Sequence, residues 1–247
     1  MAVEKIVREV RPPVIDEEFY THARHDVRSP LTAILGFSES MGEGIFGPLG
    51  HEKYTEYVSA IHQSGQGLAH TFTAIMAILS LNADAITLSD DALSAEQIMQ
   101  ELESNWSDRA SDWGVAMTFE PGADLPPLTA DRRRLAQALD CIVENALNYT
   151  GTGTGGRVTV SGGEIGGGLV FAVEDTGPGM TGPDLDIALA PFGRIHDAPA
   201  HGRPGPGLGI NLAAGIMALH QGALSITCTP GQGTKAELTL PKARLKL

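Results

Sequence analysis

The 247-residue sequence predicts an α+β protein in two parts, an antiparallel helical hairpin followed by an α/β sandwich. Two patterns carry this reading. From Asp16 to about Asn82, apolar residues recur at three- and four-residue steps, the period of a helix with one buried face. From about Asp84, short β-rich runs alternate with helical stretches.

Residues 1–15 read as a linker. In the first helix the stripe is Phe19, Ala23, Val27, Leu31, Ile34 and Met41; in the second it is Tyr54, Tyr57, Ile61, Leu68, Phe72, Ile75 and Leu79. "GEGIFGPLG" breaks the helix between them. Two helices with one stripe each cannot close a core alone, so pairing of 16–83 with a second copy into a four-helix bundle is expected, giving a homodimer. Over 84–247 the expected strands are "AITLS", "VAMTF", "RVTVSG", "LVFAVED", "ALSITCTP" and "TKAELTLP", with helices at about Ala95–Trp113, Asp131–Tyr149 and Leu208–His220. The consecutive pairs Arg157–Ser161 with Leu169–Glu174, and Ala223–Thr229 with Lys235–Leu240, suggest a mixed sheet with helices on one face.

A net charge of −13, from 30 acidic and 17 basic residues, repels nucleic acid and anionic membranes, because both bind through Lys and Arg on phosphate. A partner with a basic patch, or a metal-nucleotide, fits better. Cys141 and Cys228 lie inside regular segments and read as reduced thiols. No run approaches the roughly 20 apolar residues of a membrane helix, and the N-terminus lacks a signal peptide's apolar centre. A soluble, cytoplasmic chain with no membrane segment and no nucleic-acid partner is expected.

Chemistry-bearing residues cluster in a few short stretches. In "HDVRSPLTAILGF", Pro30 sits inside a helix, where it removes a backbone hydrogen bond at a cost of about 3 kcal/mol. His25 lies off the buried stripe, with Asp26 beside it and Ser29 one turn on. A carboxylate beside an imidazole raises ring basicity and suits a nucleophile. Such a pair alone is usually plain surface; a bend at Pro30 would loosen the bundle around the ring and gives the pair a use. "DTGPGM" follows a strand and "GRPGPGLGI" precedes a helix; glycines admit a ligand close to the backbone, and a helix N-terminus offers N–H groups to phosphate. Asp175 can accept from an exocyclic amine, and Asn145 offers a hard oxygen to Mg²⁺. "GTGTGG" follows a helix rather than a strand, the reverse of a dinucleotide fingerprint. The phosphate loop GxxxxGK[ST] is absent from the sequence.

The order of these stretches resembles the dimerisation and catalytic core of bacterial sensor histidine kinases. "HDVRSPL" looks like that family's H box, "ENALNYT" its N box, "DTGPGM" its D box, "APFGR" its F box and "GPGLGI" its G2 box. "FGPLG" with "YTEYVSAIHQSG" further resembles the hairpin of alphaproteobacterial cell-cycle kinases of the PleC, DivJ and DivL group. The resemblance implies a dimerisation and phosphotransfer domain at 16–83 and a Bergerat-type ATP-binding domain at 84–247. It implies that His25 accepts phosphate from ATP with Asp26 as base or orienter, and that Asn145 binds Mg²⁺. Asp175 would read adenine in a pocket shaped by Gly177 and Gly179, with Tyr149 near the base. Phe192 would anchor a lid running to about Pro204, Gly205, Gly207 and Gly209 would let it close over the phosphates with Leu208 among the nucleotide-binding residues, and Arg194 would reach the γ-phosphate. The implied partners are a second copy and a response-regulator receiver domain.

Three positions depart from the family pattern. Cys141 stands where the first N-box asparagine is usual, and a thiol is a poor hard-cation ligand. Asn148 stands where a basic residue is common, and Ser29 where Thr or Asn is usual. Asp140 and Glu144 neighbour Cys141 as substitutes for its lost role. An ATP-dependent protein-histidine kinase is the leading expectation. The alternatives are a nucleotide-binding pseudokinase that regulates a partner, and an ATPase of the gyrase, Hsp90 and MutL type, which would leave the hairpin unexplained.

Overall fold

The computed structural model describes residues 5–12, 17–47, 50–81, 87–122, 125–150, 155–195 and 205–246; the side chains of 17–26, His70 and Ser80 fall outside that description. Strand β1 (Ile6–Val10) leads into helix α1 (Glu17–Gly42) and its antiparallel neighbour α2 (Glu52–Leu81). Helix α1 continues through Pro30 without a break. At the hairpin tip Tyr54 is buried and donates to the carbonyl of Gly47 at 2.8 Å. Phe37 stacks on Tyr57 with ring centroids 5.2 Å apart.

Two residues of the expected stripes, Leu31 and Phe72, stay uncovered in a single chain, as do Leu35 and Val58 outside those stripes. Leu31 is 43% exposed, Leu35 59%, Val58 53% and Phe72 57%. Farther along α2, Ala74, Ile75 and Ile78 are buried in the same apolar core as the second half of the chain, because α2 packs on α6 (Gly209–Leu219).

The remaining elements are β2 (Asp91–Leu93), α3 (Ala95–Asp112), β3 (Ala116–Pro121), β4 (Leu128–Ala130), α4 (Arg132–Tyr149), β5 (Arg157–Ile165), β6 (Gly168–Asp175), α5 (Gly182–Leu189), β7 (Ala223–Thr229) and β8 (Gly233–Leu240). Six strands form one sheet in the order β1-β7-β8-β6-β5-β3, while β2 and β4 form a small ribbon. Only the β3–β5 pairing in the large sheet is parallel. The antiparallel pairs β5–β6 and β7–β8 are the two expected from sequence. Along β7 and β8 buried residues alternate with half-buried ones, so one face carries the helices.

Two expectations are corrected, and one helix stands where none was expected. Residues 1–15 are not simply a linker: Ile6 to Val10 pair with Cys228 to Leu224 and extend the sheet. Residues 87–89 of the expected strand "AITLS" form no strand; Asp91–Leu93 does, paired with β4, and the rest of the expected strand lies outside the described residues. The stretch after "DTGPGM" contains α5, with Thr181 and Asp184 forming a reciprocal cap, the arrangement that satisfies orphan N–H groups at a helix start.

Two polar anchors hold the helices around the site. Asp131 caps α4, its Oδ1 accepting from the Arg134 amide at 3.0 Å and its Oδ2 from the Ser89 amide at 3.1 Å. The fully buried His220 accepts from the Asp131 amide at Nε2 (3.1 Å). Its Nδ1 therefore carries the proton and donates to the carbonyl of Ile216 at 2.9 Å, tying the end of α6 to the start of α4. Burial lowers the His220 pKa, which keeps the ring neutral, as this bridge requires.

Candidate functional site

The end of β6, the inner face of α4 and the entry to α6 enclose a cleft of ≈ 270 Å³. Asp175 lies at its floor and is 8% exposed. Its Oδ1 accepts from the amides of Gly177 (2.7 Å) and Thr234 (3.2 Å); neither bond uses Oδ2. Burial is the largest influence on this carboxyl and pushes its pKa up to about 6, against the two amides that pull it down.

The glycine turn after Asp175 is a matter of space. A Cβ on Gly177 would stand 2.7 Å from the carbonyl oxygen of Tyr149, and Gly179, at φ +63, would drive one into the carbonyl of Thr229. The backbone thus runs directly along the cleft wall where a side chain would fill it.

Asn145, Asn148 and Tyr149 line the cleft from α4, and Gly205, Gly207 and Gly209 line it from the segment entering α6. Gly209 brings α6 against α4: its Cβ position is 3.6 Å from Asn145 Nδ2 and 3.7 Å from Cys141 Cβ. Leu208, at the N-cap position of α6, is fully buried and its side chain caps nothing, so the first N–H groups of that helix remain for a ligand. The two stems of the intervening loop are pinned together, the Phe192 amide donating to the Gly207 carbonyl at 3.0 Å. Phe192 holds φ +61, a left-handed conformation costly for an aromatic residue. Residues 196–204 of the expected lid lie outside the described residues.

Cys141 is also in the cleft wall. Burial, with help from Glu144 and Asp140, pushes its thiol up to about 12; it is a neutral S–H, unsuited to a hard cation. Of its two acidic neighbours only Glu144 lines the cleft. Asp140 turns toward α3 and accepts from Trp106 Nε1 at 2.7 Å. Burial raises the Tyr149 phenol pKa, and Arg194, also in the cleft lining, offsets part of that rise.

On the hairpin, Ser29 is exposed, while the side chains of His25 and Asp26 lie outside the described residues. Sequence reasoning missed Arg109, Trp113 and Thr234, which also line or support the cleft. The one-turn spacing of Trp106, Arg109 and Trp113 signals a shared helix face but not which cleft that face lines.

A nucleotide-sized cleft walled by glycine turns, an uncapped helix and a buried carboxylate defines a nucleotide-binding domain, here joined to a helical hairpin. Residues 130–244 match the family of histidine kinase-, DNA gyrase B- and HSP90-like ATPases, and residues 16–83 match the His Kinase A (phospho-acceptor) domain. The chain belongs to the histidine kinases. It is 31% identical over 237 residues to cell-division control histidine kinase PdhS of Brucella suis, and 30% identical over 236 residues to that of Brucella ovis; each match covers 92% of this chain and 23% of the relative. The chain thus spans less than a quarter of the length of these curated relatives. Among solved structures, the Acinetobacter baumannii histidine kinase AdeS superposes with TM-score 0.69 at 18% identity, covering 88% of this chain and 98% of that one. ThkA in complex with the response regulator TrrA gives 0.70 at 20% identity, covering 92% and 61%. Full-length ShkA in complex with AMPPNP gives 0.66 at 25%, covering 92% and 46%.

Proposed function

We propose that this chain is the phosphotransfer and catalytic core of a two-component sensor kinase, which phosphorylates His25 from Mg²⁺-ATP and passes the phosphoryl group to an aspartate of a response-regulator receiver domain. The observation that carries it is the buried Asp175 carboxylate, fixed through Oδ1 by two backbone amides. Its other oxygen is left to accept from the adenine amino group.

Around that anchor, Gly177 and Gly179 admit the base against the backbone and Tyr149 packs beside it. The α6 N-terminus and Gly205, Gly207 and Gly209 receive the phosphates. Phe192 and Leu208 fix the two hinges of the lid, and Arg194 reaches toward the γ-phosphate. Asn145 would hold Mg²⁺, which would neutralise phosphate charge when bound. Among the described residues no group of three or more His, Cys, Asp or Glu is placed to hold a metal; a Mg²⁺ arriving with the nucleotide would bring phosphate and water as ligands beside Asn145.

His25 attacks the γ-phosphorus through a ring nitrogen, the bond to the bridging oxygen breaks, and ADP leaves. Asp26 orients the ring and stabilises its positive charge. Ser29, exposed one turn on, orients the water that later hydrolyses the phosphoryl group. Such transfer is mostly positioning and charge stabilisation, so the neutral Cys141 slows it without preventing it.

The exposed Leu31, Leu35, Val58 and Phe72 supply the face by which two copies form a homodimeric four-helix bundle. The receiver domain docks on the same hairpin, and the reaction takes place in the cytoplasm, where ATP and receivers meet. Among the described residues no helix is long and apolar enough to cross a membrane.

The test is incubation of the chain with γ-labelled ATP and Mg²⁺. Label is expected on wild type and absent from His25→Ala. Equal labelling of both, or none on either, defeats the proposal.

A further inference from the structure

The cleft must hold a polyphosphate, yet Asn148 brings no charge from α4 and two carboxylates, Asp175 and Glu144, line the same space. Among the described residues of the lining the cations are Arg194 and Arg109. Arg194 lies where it influences Tyr149. Arg109 comes from α3, outside every motif used so far.

Its seat is built. The guanidinium carbon lies 5.1 Å from the Trp106 ring centroid and 4.6 Å from that of Trp113. Trp106 is in turn held by Asp140 through its indole N–H. Aromatic faces take the flat sides of a guanidinium and leave its in-plane N–H donors to point edge-on at a planar or tetrahedral oxyanion. Its contact with protein is loose: Nη2 is 3.5 Å from Glu144 Oε1, and the arginine side chain is 46% exposed. A phosphate oxygen pair is as good a bidentate partner for a guanidinium as a carboxylate is. Arg109, Glu144 and Asn145 all line the same cleft, the space assigned to the cation and phosphates.

We propose that Arg109 binds the polyphosphate of the nucleotide in this cleft, supplying from α3 the positive charge that position 148 lacks. The proposal rests on the cleft being the ATP site. The bare alternative is an arginine that only secures the end of α3 against two tryptophans, and it makes a different prediction about ligands without phosphate.

Calorimetric titration of the whole chain with Mg²⁺-ATP and with adenosine separates them, using wild type, Arg109→Gln, Arg109→Lys and the double variant Arg109→Gln/Asn148→Lys. Loss of one charge-assisted contact lowers ATP affinity by roughly tenfold to a hundredfold. Adenosine affinity stays at its wild-type value, Arg109→Lys falls between, and Asn148→Lys restores part of the loss by returning charge from the other wall. Equal weakening of ATP and adenosine in Arg109→Gln overturns the proposal in favour of the structural role, as does unchanged ATP affinity. A wild type that binds neither ligand removes the ATP site itself, a failure that points to the underlying reading rather than to Arg109.

Discussion

Replacing Asp175 by asparagine should make the protein more stable and, at the same time, weaken its binding of ATP. The carboxyl is raised from 3.8 to about 6 chiefly by burial. A raised acid holds its proton more tightly when folded, so its contribution to stability is fully present below the unfolded value and is lost as pH rises through the folded one. A shift of this size corresponds to about 3 kcal/mol withheld from the folded state at neutral pH. Asparagine keeps an acceptor for the Gly177 and Thr234 amides and never carries the charge. For a chain of this length the gain corresponds to roughly 6–12 °C in melting temperature. Thermal unfolding of both proteins across about pH 4 to 8 measures it. The advantage of Asp175→Asn should be nil at the acid end, grow through the window between the two pKa values, and level off above it. Calorimetry with Mg²⁺-ATP should show affinity reduced by at least roughly tenfold. A variant less stable than wild type by the same amount at every pH would refute the reasoning, because the carboxyl would then titrate alike in the folded and unfolded states.

Cys141→Asn should raise His25 labelling by roughly a hundredfold if one hard-oxygen contact is worth about 2–3 kcal/mol in the transition state; label incorporation over time measures it, and an unchanged rate sinks the idea. Both cysteines have thiol pKa values raised by burial, so brief iodoacetamide treatment near neutral pH should leave both unmodified by mass spectrometry. Trp106→Phe removes the donor to Asp140 and should cost about 1–3 kcal/mol in urea unfolding at neutral pH. The loss should shrink in acid, because burial already raises the Asp140 pKa and protonation removes the unpaired charge. Gly179→Ala, at φ +63 with no room for a Cβ, should cost about 1–3 kcal/mol; a melting temperature equal to wild type would count against it.

Elements whose patterns are long enough to repeat were legible. Helices α1 to α4 and α6, and the β5–β6 and β7–β8 pairs, each carry several periods of buried residues, and the structure places them where the spacing puts them. Strand β1 was not legible. Of its five residues only Val10 is buried, and it becomes a strand because β7, from the far end of the chain, offers it an edge. Helix α5 was legible in part, since Thr181 and Asp184 stand at capping-box spacing, but eight residues carry too little periodicity to separate a helix from the loop around it. At the site, Asp175 and the glycines announce themselves through turn chemistry. Arg109 does not, because a cation on one helix says nothing about which cleft another helix lines.

The sequence by itself determined the two-part architecture, the candidate acceptor His25, and the set of backbone-exposing turns, because period, proline and glycine act locally and are written residue by residue. Tertiary structure alone decided which carboxylate is buried and which is paired. Asp140 and Glu144 are near neighbours on one helix, yet one turns to an indole and the other faces the cleft. It also decided that the thiol at 141 stays protonated and that positive charge enters from α3. Those outcomes depend on desolvation and on distances between elements far apart in the chain, and no local pattern encodes either.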